Sequence, residues 1–283
     1  MARGTWRVGL AGAAVGLLLL AVVVLRSGAS STRLTFLAVG QGDCAVFQHA
    51  GATVLIDAGP LTDTFDAGER IVAPELGRLG VETIDLVLLS HPDSDHVGGL
   101  PALARRFPIG RVVIPAVFRE HAEMGRVLKE AGIAMDRVSW LDGRLVLGVG
   151  RFTLRLDGPP RGTPLENDND GSMFVHLSGD GGTALFTGDA GFEGELRMLR
   201  RGGGWKAEVL KAGHHGSRTS TGMSLLRASA PRFVVFSCGR SNRYGHPSEA
   251  TLGRVKAHSA AVVRTDREGS VTFVPSRTGF RRE

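Results

Sequence analysis

The chain opens with an unbroken apolar run, residues 8–25, and from Arg33 onward changes to short apolar segments separated by polar, glycine-rich turns. The opening run has no polar face, is long enough to cross a bilayer and follows Arg3 and Arg7, a flank that favours a cytoplasmic amino terminus. Residues 1–29 are therefore expected to form one N-terminal hydrophobic helix, a membrane anchor or signal segment, with residues 30–283 as an extracytoplasmic domain. Ser27-Gly-Ala29 has the small residues of a cleavage site, whereas Arg26 suits a retained anchor, the preferred reading; secretion is the alternative.

Within the second part, residues 33–39, 44–48 and 52–56 have the β-branched and aromatic content of strands. Residues 66–79 carry helical spacing at Ile71, Leu76 and Leu79, and residues 84–90 read as a short buried strand. Helices are predicted at 100–107 and 120–131 around a strand at 111–114, then three successive antiparallel strands at 138–141, 144–149 and 152–156. A hairpin of 173–177 with 183–186 follows. The rest reads as a helix at 193–200, strands at 207–211 and 233–236, a helix at 248–257 capped by Ser248, and a last strand at 270–273. This alternation predicts a layered α/β domain.

At 283 residues and 42% hydrophobic content, the chain can build a substantial core. The net charge of +6, mostly from arginine, suits an anionic partner: nucleic acid, lipid headgroups or a phosphorylated wall polymer. The two cysteines, Cys44 and Cys238, fall in an early and a late strand and are expected to be buried free thiols.

Candidate chemistry concentrates in His91-Pro-Asp93-Ser-Asp95-His96, directly after the strand at 84–90 and before a glycine turn. Two imidazoles and two carboxylates on a tight loop at a strand's carboxyl end can point into one small volume, which suits one or two divalent cations. A merely solvated loop is the bland alternative, and four ligand-type residues in six positions argue against it.

Other strand ends carry similar groups. Asp57 follows the strand at 52–56, with a turn-capping role as its competitor, and Asp189 follows the strand at 183–186 behind a glycine that permits close approach. His214 and His215 follow the strand at 207–211; adjacent histidines in an extended chain point apart, so one is expected to be a ligand and the other a supporting or substrate group.

Together with Val39-Gly-Gln-Gly-Asp43 and Asn242-Arg-Tyr-Gly-His-Pro-Ser248, these motifs resemble, in order and from Arg33 onward, the metallo-β-lactamase-fold hydrolase domain of the competence protein ComEC. The resemblance implies an αββα sandwich with a metal site at one edge, in a stand-alone relative with one N-terminal membrane segment. It implies that His91 and Asp93 hold one metal, that Asp95 and His96 hold a second, and that Asp189 bridges them. His214 completes the second site, with His215 as the alternative, and Asp57 orients the loop from behind. Where many such enzymes have a third histidine for the first metal, this chain has Asn167-Asp-Asn-Asp170. Oxygen ligands there, and Asp93 in place of histidine, make that site harder and favour manganese over zinc.

Two such cations, zinc or manganese, would lower the pKa of a bridging water and clamp phosphate oxygens, as phosphodiester hydrolysis requires. Asp95 and His246 are then the expected catalytic residues, with Ser217, Asn242, Arg243 and His215 binding the substrate. The leading expectation is an extracytoplasmic, membrane-associated nuclease acting on DNA, without a protein partner. A phosphorylcholine or teichoic-acid phosphodiesterase is the second enzymatic reading, disfavoured by an aromatic content of 6%. A non-catalytic surface protein that binds nucleic acid through its arginines is the third.

Overall fold

The computed structural model describes residues 32–283. The predicted anchor lies outside those residues, and among the described residues no helix is long and apolar enough to cross a membrane.

The first sheet has eight strands: β1 (Arg33–Phe36), β2 (Ala45–His49), β3 (Ala52–Ile56), β4 (Ile84–Leu88), β5 (Ile109–Pro115) and β6 (Val138–Leu141), joined at the β1 edge by two late strands. The second has seven: β7 (Arg144–Val149), β8 (Phe152–Asp157), β9 (Phe174–Gly179), β10 (Gly182–Phe186), β11 (Val209–Lys211), β12 (Phe233–Phe236) and β13 (Ala261–Arg264). The late strands β14 (Val271–Ser276) and β15 (Gly279–Arg282) return to the first sheet, giving the order β15-β14-β1-β2-β3-β4-β5-β6. Each sheet has an antiparallel half and a parallel half. In the first, β3, β4, β5 and β6 run parallel; in the second, β10 through β13 do.

Strand alternation sorts side chains between two faces. Phe47, Val54, Ile56, Leu88 and Val113 point into the layer between the sheets and meet Val175, Leu177, Phe186, Val209 and Val235 there. The intervening Val46, Leu55, Val87 and Val112 face the outer helices of the first sheet, and Leu185, Leu210, Val234 and Phe236 those of the second. The result is helix, sheet, sheet, helix.

One predicted pairing is corrected. The expected antiparallel continuation of residues 138–141 into 144–149 does not form; β6 lies parallel to β5, with Ile114 opposite Trp140. The helix Ala122–Glu130 separates the two strands, and a strand, helix, strand unit of that kind returns its second strand parallel to the first. Only β7 and β8 form the antiparallel hairpin. The segment at 66–79 divides into a wider turn at Gly68–Val72 and a helix at Ala73–Arg78, whose Pro74 supplies no backbone donor. Both cysteines are free and buried.

Candidate metal centre

Parallel pairing brings several carboxyl ends to one edge. β3 and β4 are in register at Ile56 and Leu88, so Asp57 and the His91 loop emerge side by side. Their junction is tightly bonded. The Ser90 amide donates to Asp57 Oδ1 at 2.8 Å and the Ser90 hydroxyl donates to Asp57 Oδ2 at 2.9 Å. Asp57 adopts a φ of 57°, uncommon for a non-glycine residue and characteristic of sites held in place by their surroundings. In the second sheet β10 and β11 are parallel, which sets Asp189 beside the loop of His214 and His215.

The buried groups meet as follows. His96 Nε2 is 3.3 Å from Asp189 Oδ1. His215 Nε2 is 3.2 Å from Asp189 Oδ2 and 3.1 Å from Asp95 Oδ2. The other nitrogen of each imidazole is already used: His96 Nδ1 is 2.9 Å from Asp57 Oδ2, and His215 Nδ1 is 2.9 Å from the Ser237 carbonyl. Neither oxygen can donate, so each ring donates from Nδ1 and turns Nε2 toward the cluster, the orientation that backed metal-ligating histidines take. His91 is held alike, with Nδ1 2.9 Å from Ser90 Oγ and Nε2 3.5 Å from Asp93 Oδ2. The Nε2 atoms of His91 and His96 are buried and make no hydrogen bond. Unpaired imidazole nitrogens facing carboxylates fit a divalent cation.

Asp43, His96, Asp189 and His215 have ligand atoms within 4.8 Å of one another. Asp43, however, faces the backs of the rings, 3.8 Å from His96 Nδ1 and 3.3 Å from His215 Nδ1. Its stronger partner is the buried ammonium of Lys211, which also lies 3.5 Å from Asp189 Oδ1. Asp43 and Lys211 thus form a charged floor behind the rings, while Asp95, His96, Asp189 and His215 converge in front of it. The floor is stitched to the loop through the backbone, since the Asp43 amide donates to the Asp95 carbonyl at 3.1 Å. Gly42 makes this approach possible, because a Cβ there would stand 2.4 Å from that carbonyl oxygen.

The charges reinforce one another. Burial would raise the carboxyls of Asp189 and Asp43, but the facing imidazoles and Lys211 outweigh it and hold both below the usual range. Burial would lower His96 and His215, but Asp189 above all holds both well above the ordinary imidazole value. Asp95 is held low against burial by His215 and His96.

The remaining predicted residues divide. His214 has Nε2 3.8 Å from Asp189 Oδ2 and is about a third exposed, whereas His215 is buried in the cluster. Of the two candidates left open by the sequence, the buried cluster therefore contains His215, the alternative, and not His214. The physical reason is that the chain is not extended here: both histidines are left-handed, with φ of 47° and 53°, and the tight turn carries His215 inward. His246 flanks both, with ring centroids 5.6 Å from His214 and 6.2 Å from His215. Burial, then the imidazoles of His215 and His214, push its pKa down to about 4. Asn242 braces the His246 backbone, accepting from its amide at 2.9 Å and donating to its carbonyl at 2.7 Å. The Arg243 guanidinium is exposed and donates to the Tyr244 hydroxyl. Ser217 turns to Thr219 at 3.2 Å.

Of the stretch offered for a third first-site ligand, Asn167 caps a short turn by accepting from the Asp170 amide, and Asp168 pairs with His121 at 3.1 Å. Ser172 just beyond serves the site by accepting from the Asp189 amide at 3.1 Å. Asp43 and Lys211 are site residues that sequence reasoning misses. The available signal is a lysine that ends a short strand behind Val209 and Leu210; a charge buried there requires a partner.

A profile of the metallo-beta-lactamase superfamily matches residues 37–240. ComE operon protein 3 of Bacillus subtilis is 31% identical over 251 residues, covering 83% of this chain and 32% of that protein. Competence protein ComA of Neisseria gonorrhoeae is 32% identical over 243 residues, covering 86% of this chain and 32% of that protein. The chain spans about a third of the length of these relatives. The metallo-beta-lactamase fold protein YhfI from Bacillus subtilis superposes with a TM-score of 0.56 at 13% identity, covering 83% of this chain and 96% of that one, a likeness of fold. With strand ends of two sheets delivering one ligand set and a profile that spans both sheets, the chain belongs to the metallo-beta-lactamase superfamily.

Proposed function

We propose that this chain is a metal-dependent phosphodiesterase, a nuclease whose substrate is DNA. The observation that carries the reading is the set of buried imidazole and carboxylate groups at the meeting edge of the sheets, with the Nε2 atoms of His91 and His96 unpartnered. In this reading Asp95, His96, Asp189 and His215 hold one cation, and His91 and Asp93, with His214 beside them, hold a second; zinc and manganese are the candidates. Divalent cations supply Lewis acidity toward water and neutralise phosphate charge.

The protein's own groups do the rest. Asp57 and the Ser237 carbonyl fix the two buried rings before substrate arrives, so no reorientation is needed. Lys211 offsets the carboxylate charge, so an anionic diester is not repelled. Gln41 Nε2 donates to His246 Nδ1 at 3.4 Å, which leaves the His246 Nε2 proton free for a substrate oxygen. Near neutral pH that imidazole is uncharged, so it serves as a hydrogen-bond donor.

The competence-protein relatives and the arginine-rich charge support DNA as substrate. In the same reading residues 8–25 anchor the domain outside the cytoplasm. The test is cleavage of labelled single- and double-stranded DNA by metal-stripped full-length protein given manganese, zinc or magnesium. Metal-dependent cleavage that Asp95→Ala abolishes is the expected result. Cleavage of neither DNA under any metal, with bis-p-nitrophenyl phosphate still hydrolysed, would move the substrate to another phosphodiester.

A further inference from the structure

At the rim of the cluster stands a side chain that belongs to neither the core nor the ligand set. Tyr244 is the single tyrosine of the chain, and 56% of its surface is exposed. Its ring stacks on His246, with centroids 5.7 Å and planes 24° apart. His246 in turn stacks on His215 at 6.2 Å and 29°. The rings step outward from the buried cluster into solvent. Arg243 lies beside the outermost one, with Cζ 5.0 Å from the Tyr244 centroid and Nη2 donating to the hydroxyl at 2.9 Å.

The loop that carries these groups is braced. The Asn242 amide spans it, donating to the Gly239 carbonyl at 2.9 Å as well as bonding both backbone groups of His246. Gln41 ties it to the first sheet, accepting from the Gly239 amide at 3.2 Å and donating to His246. Gly245 has a φ of 68° and open space where a Cβ would stand, so the backbone turn and not crowding calls for glycine. An aromatic ring fixed in water on a braced loop buries too little to be there for stability.

We propose that Tyr244, backed by His246 and flanked by Arg243, is a stacking platform for a nucleobase of single-stranded DNA. Every base has a π-face, so such a platform accepts any sequence, and it selects unpaired strands because a duplex keeps its bases stacked on one another. The Arg243 guanidinium extends the flat surface and can pair with a neighbouring phosphate. The same charge repels a quaternary ammonium, which sets this rim apart from a choline cage. The inference rests on the phosphodiesterase reading and goes beyond it by naming the strand type and the residue that recognises it.

The test uses full-length protein and fluorescence anisotropy at one fixed ionic strength, with three labelled probes: oligothymidine, an abasic oligomer of equal length, and a duplex. Wild type is expected to bind oligothymidine roughly ten-fold more tightly than the abasic strand. Tyr244→Ala removes that preference and leaves abasic binding unchanged, whereas Tyr244→Phe keeps it. Equal binding of the two strands by wild type, or a preference that survives Tyr244→Ala, overturns the platform while the phosphodiesterase reading stands. Binding of neither strand also overturns it, and takes the phosphodiesterase reading with it only when bis-p-nitrophenyl phosphate is not hydrolysed either.

Discussion

Asp57 Oδ2 lies 2.9 Å from His96 Nδ1, and the same carboxylate accepts both the amide and the hydroxyl of Ser90. One side chain therefore sets the tautomer of a buried imidazole and anchors the loop that carries it. Asp57→Ala is expected to lower metal affinity about 10- to 100-fold, the usual effect of losing such a backing group. Competition titration against a chromophoric chelator measures it; unchanged affinity would remove Asp57 from the site's support.

His215 and His214 are adjacent yet differently placed, so their substitutions are expected to separate. His215→Ala should lose the ion held with Asp95, His96 and Asp189, seen as lower stoichiometry in native mass spectrometry. His214→Ala should retain that ion. The reverse result would restore His214 as the ligand of this set.

Lys211 neutralises Asp43 within the core. Lys211→Met is expected to destabilise the metal-free protein by about 3–5 kcal/mol, because it leaves a buried carboxylate without its counter-charge. Urea unfolding checks this. A loss below about 1 kcal/mol would mean that water or a shifted histidine replaces the ammonium.

Metal-free protein has a pH profile of definite sign. His96 and His215 are raised on folding, so the stability they contribute is full below the ordinary imidazole value of 6.5 and is lost as pH climbs through their folded values. Asp189 is depressed, so its contribution is present above its ordinary 3.8 and is lost only as pH falls through its folded value. Glu195, which burial pushes up to about 7, adds a further loss as pH rises from 4.5. The melting temperature without metal is thus expected to fall as pH rises above the ordinary imidazole value of 6.5. Metal must displace protons from His96 and His215, so the gain in melting temperature on adding it grows over the same range. A metal-free profile that rises there would contradict these proton placements.

Gly42→Ala introduces a methyl 2.4 Å from the Asp95 carbonyl and 2.8 Å from Pro60 Cδ, at a φ of 149°. A cost of about 1–3 kcal/mol and weakened metal binding are expected together, because the clash falls on the loop itself. Thermal melting and metal titration of the variant should move in step.

The His91 loop is legible in the sequence because its candidate ligands are neighbours, so short-range spacing carries their convergence. Asp57 and Asp189 are legible as carboxylates at strand ends with a glycine within two residues. Asp43 and Lys211 are not, because they meet only when the chain entering β2 and the end of β11, in different sheets, are brought together. The turn of His214 and His215 hides for a local reason: left-handed φ values in two successive histidines have no spacing signature. The placement of β6 is lost for a third reason, since periodicity identifies a strand but not its partner.

The candidate ligand set is drawn from both sheets, and Asp95 meets His215 across 120 positions of the chain. An ion seated there is a reversible clasp between the two halves of the sandwich. It can bind with full strength only when the sheets are correctly docked, so mass action makes ion concentration a control on the seam between them. Chelation should accordingly speed hydrogen exchange first in β10 and β11 and in the residues after β4, while the outer helices keep their protection.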